Sequence, residues 1–322
     1  MTETILALDF GGTKLSAAVV RGAGGQFRGT PLWQHHGRVF SPAGADATSD
    51  LEMMLALARE LLSGGQPATV GVSFGGPVDF DRGVVRLSHH VPGWEQIPLR
   101  AHLEAAFGAP AVVDNDANAA ALGEWRYGAG QGTESLLYVT VSTGVGGGWV
   151  LEGRLWRGAG GMAGEIGHTV VEPAGPRCLC GKRGCVERLA SGPYMAADVR
   201  EALLSGSREA GQLLELVDGD LEAITGEVVA RAAVAGDLLA QAILVRGARA
   251  LGVGLGNAAN LIEPQRIVLG GGVTKAGALW WDTVRTAADE TALPEVSLQI
   301  VPAALGDDAP LWGAVALATD RL

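Results

Sequence analysis

Residues 5–20 and 135–151 follow one plan, and this duplication restricts the chain to folds that contain a module twice. In the first copy ILALDF runs into GGTK and then LSAAVV; in the second SLLYVTVS runs into TGVGGG and then WVL. Each copy is an apolar run of strand length, a glycine cluster and a second apolar run, so the glycines are expected at a strand-to-strand turn. Two such patterns imply two similarly built halves. The rest of the chain alternates. Helical apolar spacing over residues 50–62, 99–107, 117–125, 191–204, 225–235, 237–261 and 309–318 is interleaved with strand-like runs at 68–74, 111–113, 266–269 and 297–301. A third strand is expected after GAGGQ, and residues 149–156 read as one strand. The class is α/β, with a domain boundary expected at a hinge near Asn118.

Composition narrows the function classes. A chain of 322 residues with 48% hydrophobic content accommodates two packed domains rather than a disordered state. Its 24 Lys and Arg against 35 Asp and Glu give a net charge of -11, and no basic patch interrupts it, so nucleic acid is not an expected partner. The start, MTETILALDF, lacks a basic leader and an apolar core, and no run of about 20 uncharged apolar residues follows. A soluble cytoplasmic protein without membrane partners is expected. The 49 glycines, about twice the usual share, gather in short clusters without period.

Three of those clusters suit an anion. Glycine lets backbone N–H groups converge without a Cβ in the way, and phosphate is the usual guest. In DFGGTK, Thr13 and Lys14 add a hydroxyl and a cation, and Asp9 is placed to hold a hydrated metal ion; in STGVGGG, Ser142 and Thr143 add hydroxyls. One cluster alone is an ordinary hairpin turn, whereas two at matching positions and a third at Gly270–Gly272 favour a nucleotide. Neither GxxxxGK[ST] nor GxGxxG is present. Asn115–Asp116, at the carboxyl end of a strand, has two readings: a cap on the helix beginning at Ala117, or a general base with a neighbouring amide that orients a hydroxyl.

All three cysteines, Cys178, Cys180 and Cys185, fall within eight residues, with His168 upstream. An odd count at tight spacing points to a reduced compartment and a metal rather than a disulfide framework. Three thiolates and an imidazole form a closed tetrahedral set, the pattern of structural zinc, since catalytic sites leave one position for water. The spacing and the acidic charge do not suit a DNA-reading finger.

In order and spacing, DFGGTK, VDNDANAAALGE, VSTGVGGGW, GEIGH, CLCGKRGCVE and PQRIVLGGGV resemble the ROK family of bacterial sugar kinases and sugar-responsive repressors. The resemblance spans nearly the whole chain, and GEIGH with CxCGxxGCxE is its most specific part. It implies an actin-like ATPase (ribonuclease H-like) fold of two α/β domains with a central cleft closing on a sugar. On that reading residues 1–118 form the first domain, completed by a returning helix in 306–322, and residues 119–305 form the second. ATP with Mg2+ would be the donor, zinc would be structural, and a homodimer is implied.

Carried over by motif, Asp116 would be the base for the sugar's reacting hydroxyl. Gly75, Gly76, Asn115, Glu165, His168 and Glu187 would bind sugar. Asp9, Gly11, Gly12, Thr13 and Lys14 would form the first phosphate loop, Thr143, Gly144 and Gly146 the second, and Gly270, Gly271 and Gly272 would line the adenosine. Three positions depart from the family pattern: Gly75 where proline is common, His90 where asparagine is common, and Trp149 in place of a smaller aliphatic residue. The expected activity is ATP-dependent phosphorylation of a hexose, with VPGWEQIPL favouring glucose. N-acetylglucosamine or N-acetylmannosamine kinase is the alternative, and polyphosphate is a second possible donor. A sugar-sensing regulator is disfavoured, because the first glycine motif begins at Asp9 and leaves no room for a helix-turn-helix.

Overall fold

The computed structural model describes residues 2–23, 33–88, 91–207 and 211–321. In chain order the strands are β1 (Thr2–Phe10), β2 (Lys14–Ala23), β3 (His35–Phe40), β4 (Thr69–Phe74), β5 (Val78–Asp79), β6 (Val84–Val85), β7 (Ala111–Asn115), β8 (Leu136–Val141), β9 (Val145–Leu151), β10 (Arg154–Trp156), β11 (Arg266–Gly270) and β12 (Ile300–Pro302). The helices are α1 (Ala47–Leu62), α2 (Leu99–Phe107), α3 (Asp116–Tyr127), α4 (Val186–Ala190), α5 (Gly192–Leu204), α6 (Gly211–Leu216), α7 (Gly226–Val234), α8 (Leu238–Ile262), α9 (Ala278–Thr291) and α10 (Ala309–Thr319). The chain divides into two compact units, the first of Met1–Leu136, Gly148–Gly164 and Ala303–Leu322, the second of Leu137–Gly147 and Glu165–Pro302. The hinge position expected at Asn118 lies inside α3.

Unit 1 is built on a sheet of order β3-β2-β1-β4-β7, in which β1 pairs antiparallel with β2 and parallel with β4, and β4 pairs parallel with β7. The period-2 alternation of β1 sorts its side chains. Leu6, Leu8 and Phe10 enter one core with residues of α1 and α2, and Ile5 and Ala7 enter another with residues of α3 and α10. Helix α10 packs backbone to backbone. A Cβ on Gly71 of β4 would strike the Ala314 carbonyl, and one on Gly313 would strike the Ala119 carbonyl. The adjoining segment is held by Glu124, which is 0% exposed and accepts from the N–H groups of Ala304 at 3.1 Å, Leu305 at 2.8 Å and Ala129 at 2.8 Å. A buried carboxylate with three backbone donors is satisfied without a cation.

Unit 2 repeats the plan, with β11 beside β8, β12 parallel to β11, and the first residues of β9 returning from β8 through a turn in which Ser142 N–H donates to the Gly144 carbonyl at 2.9 Å. Helix α8 has the length and apolarity to cross a membrane, yet 56% of its apolar window is buried inside the fold. It is the core helix of its unit, with α4, α7 and α9 packed against it.

Helices α4, α6 and α9 and the short pair β5–β6 are not expected from the sequence, and three expected elements differ in form. The third strand begins at His35 rather than directly after GAGGQ, whose residues 24–26 lie outside the described residues. The run 149–156 is a hairpin and not one strand: Glu152 and Gly153 both take positive φ, 51° and 68°, as the two central residues of a tight turn that matches strand twist. Gly146, Gly147 and Gly148 lie within β9, and the turn before it is Ser142–Gly144.

Candidate functional site

The parallel strands of unit 1 end in register. Asp9, Ser73 and Asp114 lie in one row across β1, β4 and β7, and Phe10, Phe74 and Asn115 in the next. The chain leaves these ends as Gly11, Gly75 and Asp116, so three loops open at the edge where open α/β sheets bind ligands. Gly11 N–H closes the first loop on the Lys14 carbonyl at 3.0 Å, and Gly75 N–H donates to the Phe10 carbonyl at 2.8 Å. Thr13 is exposed, and Gly12 and Lys14 are half-buried. Gly75 and Gly76 are fixed by packing: an added Cβ would come within 3.1 Å of the Phe10 carbonyl or 2.6 Å of the Leu87 carbonyl.

Asn115 caps α3. Its Oδ1 accepts from Ala117 N–H at 3.0 Å and Asn118 N–H at 3.3 Å, and its Nδ2 donates to the Gly76 carbonyl at 3.1 Å and to Asp116 Oδ1 at 2.9 Å. Both ends of the amide are therefore engaged: Asn115 caps the helix, as the first reading of the pair expects, and its Nδ2 also holds Asp116 Oδ1. Asp116 Oδ1 also accepts Ala117 N–H at 2.8 Å, whereas Oδ2 has no hydrogen bond among the described residues. Burial, and then the nearby charge of Asp9, pushes the Asp116 carboxyl up to about 6. Asp9 is likewise pushed up to about 6 by burial, against the opposing hydrogen bond from Ser73 Oγ at 2.7 Å and the charge of Lys14. Two carboxylates, each with one oxygen pinned and the other without a hydrogen bond among the described residues, thus sit at the loop edge. Behind them Asp114, buried and raised for that reason, accepts Arg157 Nε at 2.7 Å.

Unit 2 gathers the thiols. Cys178 Sγ lies 4.0 Å from His168 Nδ1, Cys180 Sγ lies 3.6 Å from Cys185 Sγ, and all four ligand atoms fall within 4.8 Å of one another. A zinc tetrahedron with Zn–S of about 2.3 Å has edges of about 3.8 Å, so the set fits the ion. Burial and the neighbouring thiols push Cys185 up to about 12, a penalty on crowded thiolates that a dication removes. The loop is preformed: Val186 N–H donates to the Thr169 carbonyl at 3.0 Å, and Lys182 Nζ to the His168 carbonyl at 2.7 Å. With Nδ1 among the thiols, Nε2 of His168 is left for another partner. Glu165 opens the short turn that carries His168 and is exposed.

Glu187, in the first turn of α4, reaches the second glycine loop. Its Oε2 accepts Val145 N–H at 3.0 Å, and a Cβ on Gly144 would come within 2.7 Å of the same oxygen. On the other side of this loop a cavity of about 1080 Å³ is lined by Ser142, Thr143 and Gly272 together with residues of α5 and α7, among them Arg200, Glu227 and Arg231. Gly146 lies in β9, Gly270 ends β11, and Gly271, with φ 89°, precedes the cavity-lining Gly272. The α5 and α7 residues carry no sequence motif. Only the break at Ser191 before Pro193, which starts α5 anew after α4, marks that wall in the sequence. Trp149 pairs across the β9–β10 hairpin with Trp156, and His90 lies outside the described residues.

Known proteins resemble the chain over most of its length. The chain is 38% identical to a glucokinase of Halalkalibacterium halodurans over 76% of its own length and 74% of the relative's. It is 34% identical to an N-acetylmannosamine kinase of Shigella flexneri over 98% of each. Among solved structures, a ROK family glucokinase from Streptomyces griseus in complex with glucose and AMPPNP is 34% identical, with a TM-score of 0.82 over 99% of this chain and 100% of that one. The fold shared with it is the actin-like ATPase fold. With residues 5–321 matching the family as a whole, glycine loops, cysteine cluster and duplicated sheet included, the chain belongs to the ROK family.

Proposed function

We propose that this chain is a cytoplasmic glucokinase that transfers the γ-phosphoryl group of ATP to the C6 hydroxyl of glucose. The observation that carries the reading is Asp116: one carboxylate oxygen is fixed by Asn115 and Ala117, the other is unclaimed, and burial tunes the group to about 6. The base would take the hydroxyl proton as the new O–P bond forms and the bond to the β-phosphate oxygen breaks, with ADP leaving. A carboxylate suffices, since phosphoryl transfer depends chiefly on positioning and charge neutralisation. Lys14, Thr13 and the N–H groups of the first glycine loop would face phosphate oxygens, and Asp9 would hold a hydrated Mg2+ that neutralises them. From unit 2, Glu165, His168 Nε2 and Glu187 would bind sugar hydroxyls, Thr143 and Gly144 would meet phosphate, and the α5–α7 cavity would take the adenosine. His168 and the three cysteines would hold zinc, whose role is to fix the loop.

A coupled ADP-release assay with glucose, N-acetylglucosamine and N-acetylmannosamine tests the substrate, and polyphosphate in place of ATP tests the donor. Glucose with ATP is expected to turn over fastest. A preference for an acetamido sugar would replace the glucose assignment, and no turnover on any sugar would sink the kinase.

Two further results are expected. In free enzyme kcat/KM should fall as pH drops through about 6, because the base must be ionised. Stability should move the other way. The folded carboxyls near 6 lie above the ordinary 3.8, so the native state holds extra protons between those values and these two groups withdraw stability as pH rises through the window. A pH–rate profile beside melting curves checks both; undiminished kcat/KM at pH 5 would contradict the base. Second, Gly144→Ala should raise the KM for glucose by about ten-fold, since the new methyl displaces the Glu187 carboxylate. Gly144 lacks a positive φ, so alanine suits its backbone. An effect on the KM for ATP alone would remove Glu187 from the sugar site.

A further inference from the structure

Unit 1 contains a second cavity, of about 320 Å³, whose charge runs against that of the whole chain. Four arginines line it, Arg126, Arg154, Arg157 and Arg321, against one acidic residue, Asp320, in a protein of net charge -11. Arg126 is paired with Asp320 at 2.7 Å, while Arg154 and Arg321 have no ion pair among the described residues. Arg157 donates through Nε to Asp114, and its two Nη groups have no hydrogen bond to any described residue. The remaining wall is aromatic and aliphatic. Arg157 stacks over Phe80 at 3.5 Å, and the Trp125 ring is held by its Nε1 bond to the Thr133 carbonyl at 2.6 Å. Planar guanidinium forks match a phosphate dianion bidentately, and unpaired ones concentrated in a concave wall attract it. The volume and the rings leave room for an organic body as well as the phosphate.

One of these arginines also touches the row that ends at the catalytic loop. Asp114 Oδ2 accepts Arg157, and its Oδ1 accepts Asn118 Nδ2 at 3.1 Å and Asn115 N–H at 2.8 Å. Asn115 in turn fixes Asp116. An anion that engages the Nη groups of Arg157 competes for the guanidinium that pairs buried Asp114, and the adjoining cap must adjust.

We propose that this cavity binds a small phosphomonoester, and that its occupation reaches Asp116 through Arg157, Asp114 and Asn115. The binding stands on the cavity alone; the coupling rests on Asp116 as the base. The test is calorimetric titration of glycerol 3-phosphate, and separately of inorganic phosphate, into the full chain and into the Arg154→Ala/Arg321→Ala variant. One equivalent of glycerol 3-phosphate should bind the wild type, and the variant should bind about ten-fold or more weakly while its KM values without the probe stay unchanged. Inorganic phosphate binding as tightly as the ester would support the phosphate class and assign the site to the free ion. No heat up to about 10 mM of either probe, or equal binding by the variant, would overturn the site. With glycerol 3-phosphate present, kcat should fall by about three-fold in the wild type and not in the variant. Binding without a change in kcat would overturn the coupling. Because the titration needs no turnover, its failure is distinct from failure of the kinase assignment.

Discussion

Asp116→Asn is expected to lower kcat by about 10³-fold, near 4 kcal/mol of lost transition-state stabilisation, while leaving the fold intact. The amide has the shape of the carboxylate, and its oxygen can still accept Ala117 N–H at the first turn of α3. What it cannot do is take a proton. The same substitution removes a charge that burial and Asp9 both disfavour, so the variant should melt at a higher temperature than the wild type above pH 6. Lower activity with higher stability is hard to obtain from a damaged fold. The coupled assay and a melting curve on one preparation read both quantities, and a kcat within ten-fold of wild type would remove Asp116 from the reaction.

Cys180→Ser is expected to have the next largest effect, raising the KM for glucose by about ten-fold or more while the KM for ATP stays near wild type. Cys180 is the exposed member of the cluster, so serine disturbs no packing. With zinc held as proposed, loss of Cys180 would break the ligand set around His168 Nδ1, and the ring would no longer present Nε2 in one orientation. Glu187, two residues after the buried Cys185 and in the first turn of α4, would lose the same anchor. Treatment of wild type with a chelator should reproduce the split, together with one equivalent of released zinc. Unchanged glucose KM in the serine variant with zinc absent would make the cluster dispensable to the sugar site.

How far the sequence could be read depends on the kind of signal each residue leaves. Asp9 to Lys14 and Ser142 to Gly148 stand out because a glycine turn between two apolar strands is local. The cysteine cluster stands out because its ligands are close in sequence. Helix boundaries followed apolar spacing, and the error at residues 149–156 came from Glu152, a residue that does not advertise a positive φ. The wall of the large unit 2 cavity was hidden for another reason. Ala, Gly, Glu and Arg make up most of it on the faces of α5 and α7, residue types that any solvent-facing helix also uses. Pairings over long separations left no trace: Arg157 meets Asp114 across 43 positions, Glu187 meets Val145 across 42, and Glu124 meets Leu305 across 181. For Asn115 the cap leaves a local signal at the start of α3, whereas its bond to the Gly76 carbonyl across 39 positions leaves none.

Backbone contact between α10 and the sheet of unit 1 also sets an order on the ribosome. Residues 303–322 are synthesised after all of unit 2, yet they cover Gly71 of β4 and meet α3 through Gly313 and Ala119. Until they emerge, the sheet that carries Asp9 and leads into Asp116 lacks the α10 cover on one apolar face, whereas the long stretch 165–302 has already been made. A nascent chain stalled before Ala303 would therefore present an exposed sheet face to chaperones, and the carboxylates would reach their final burial only when the last helix docks.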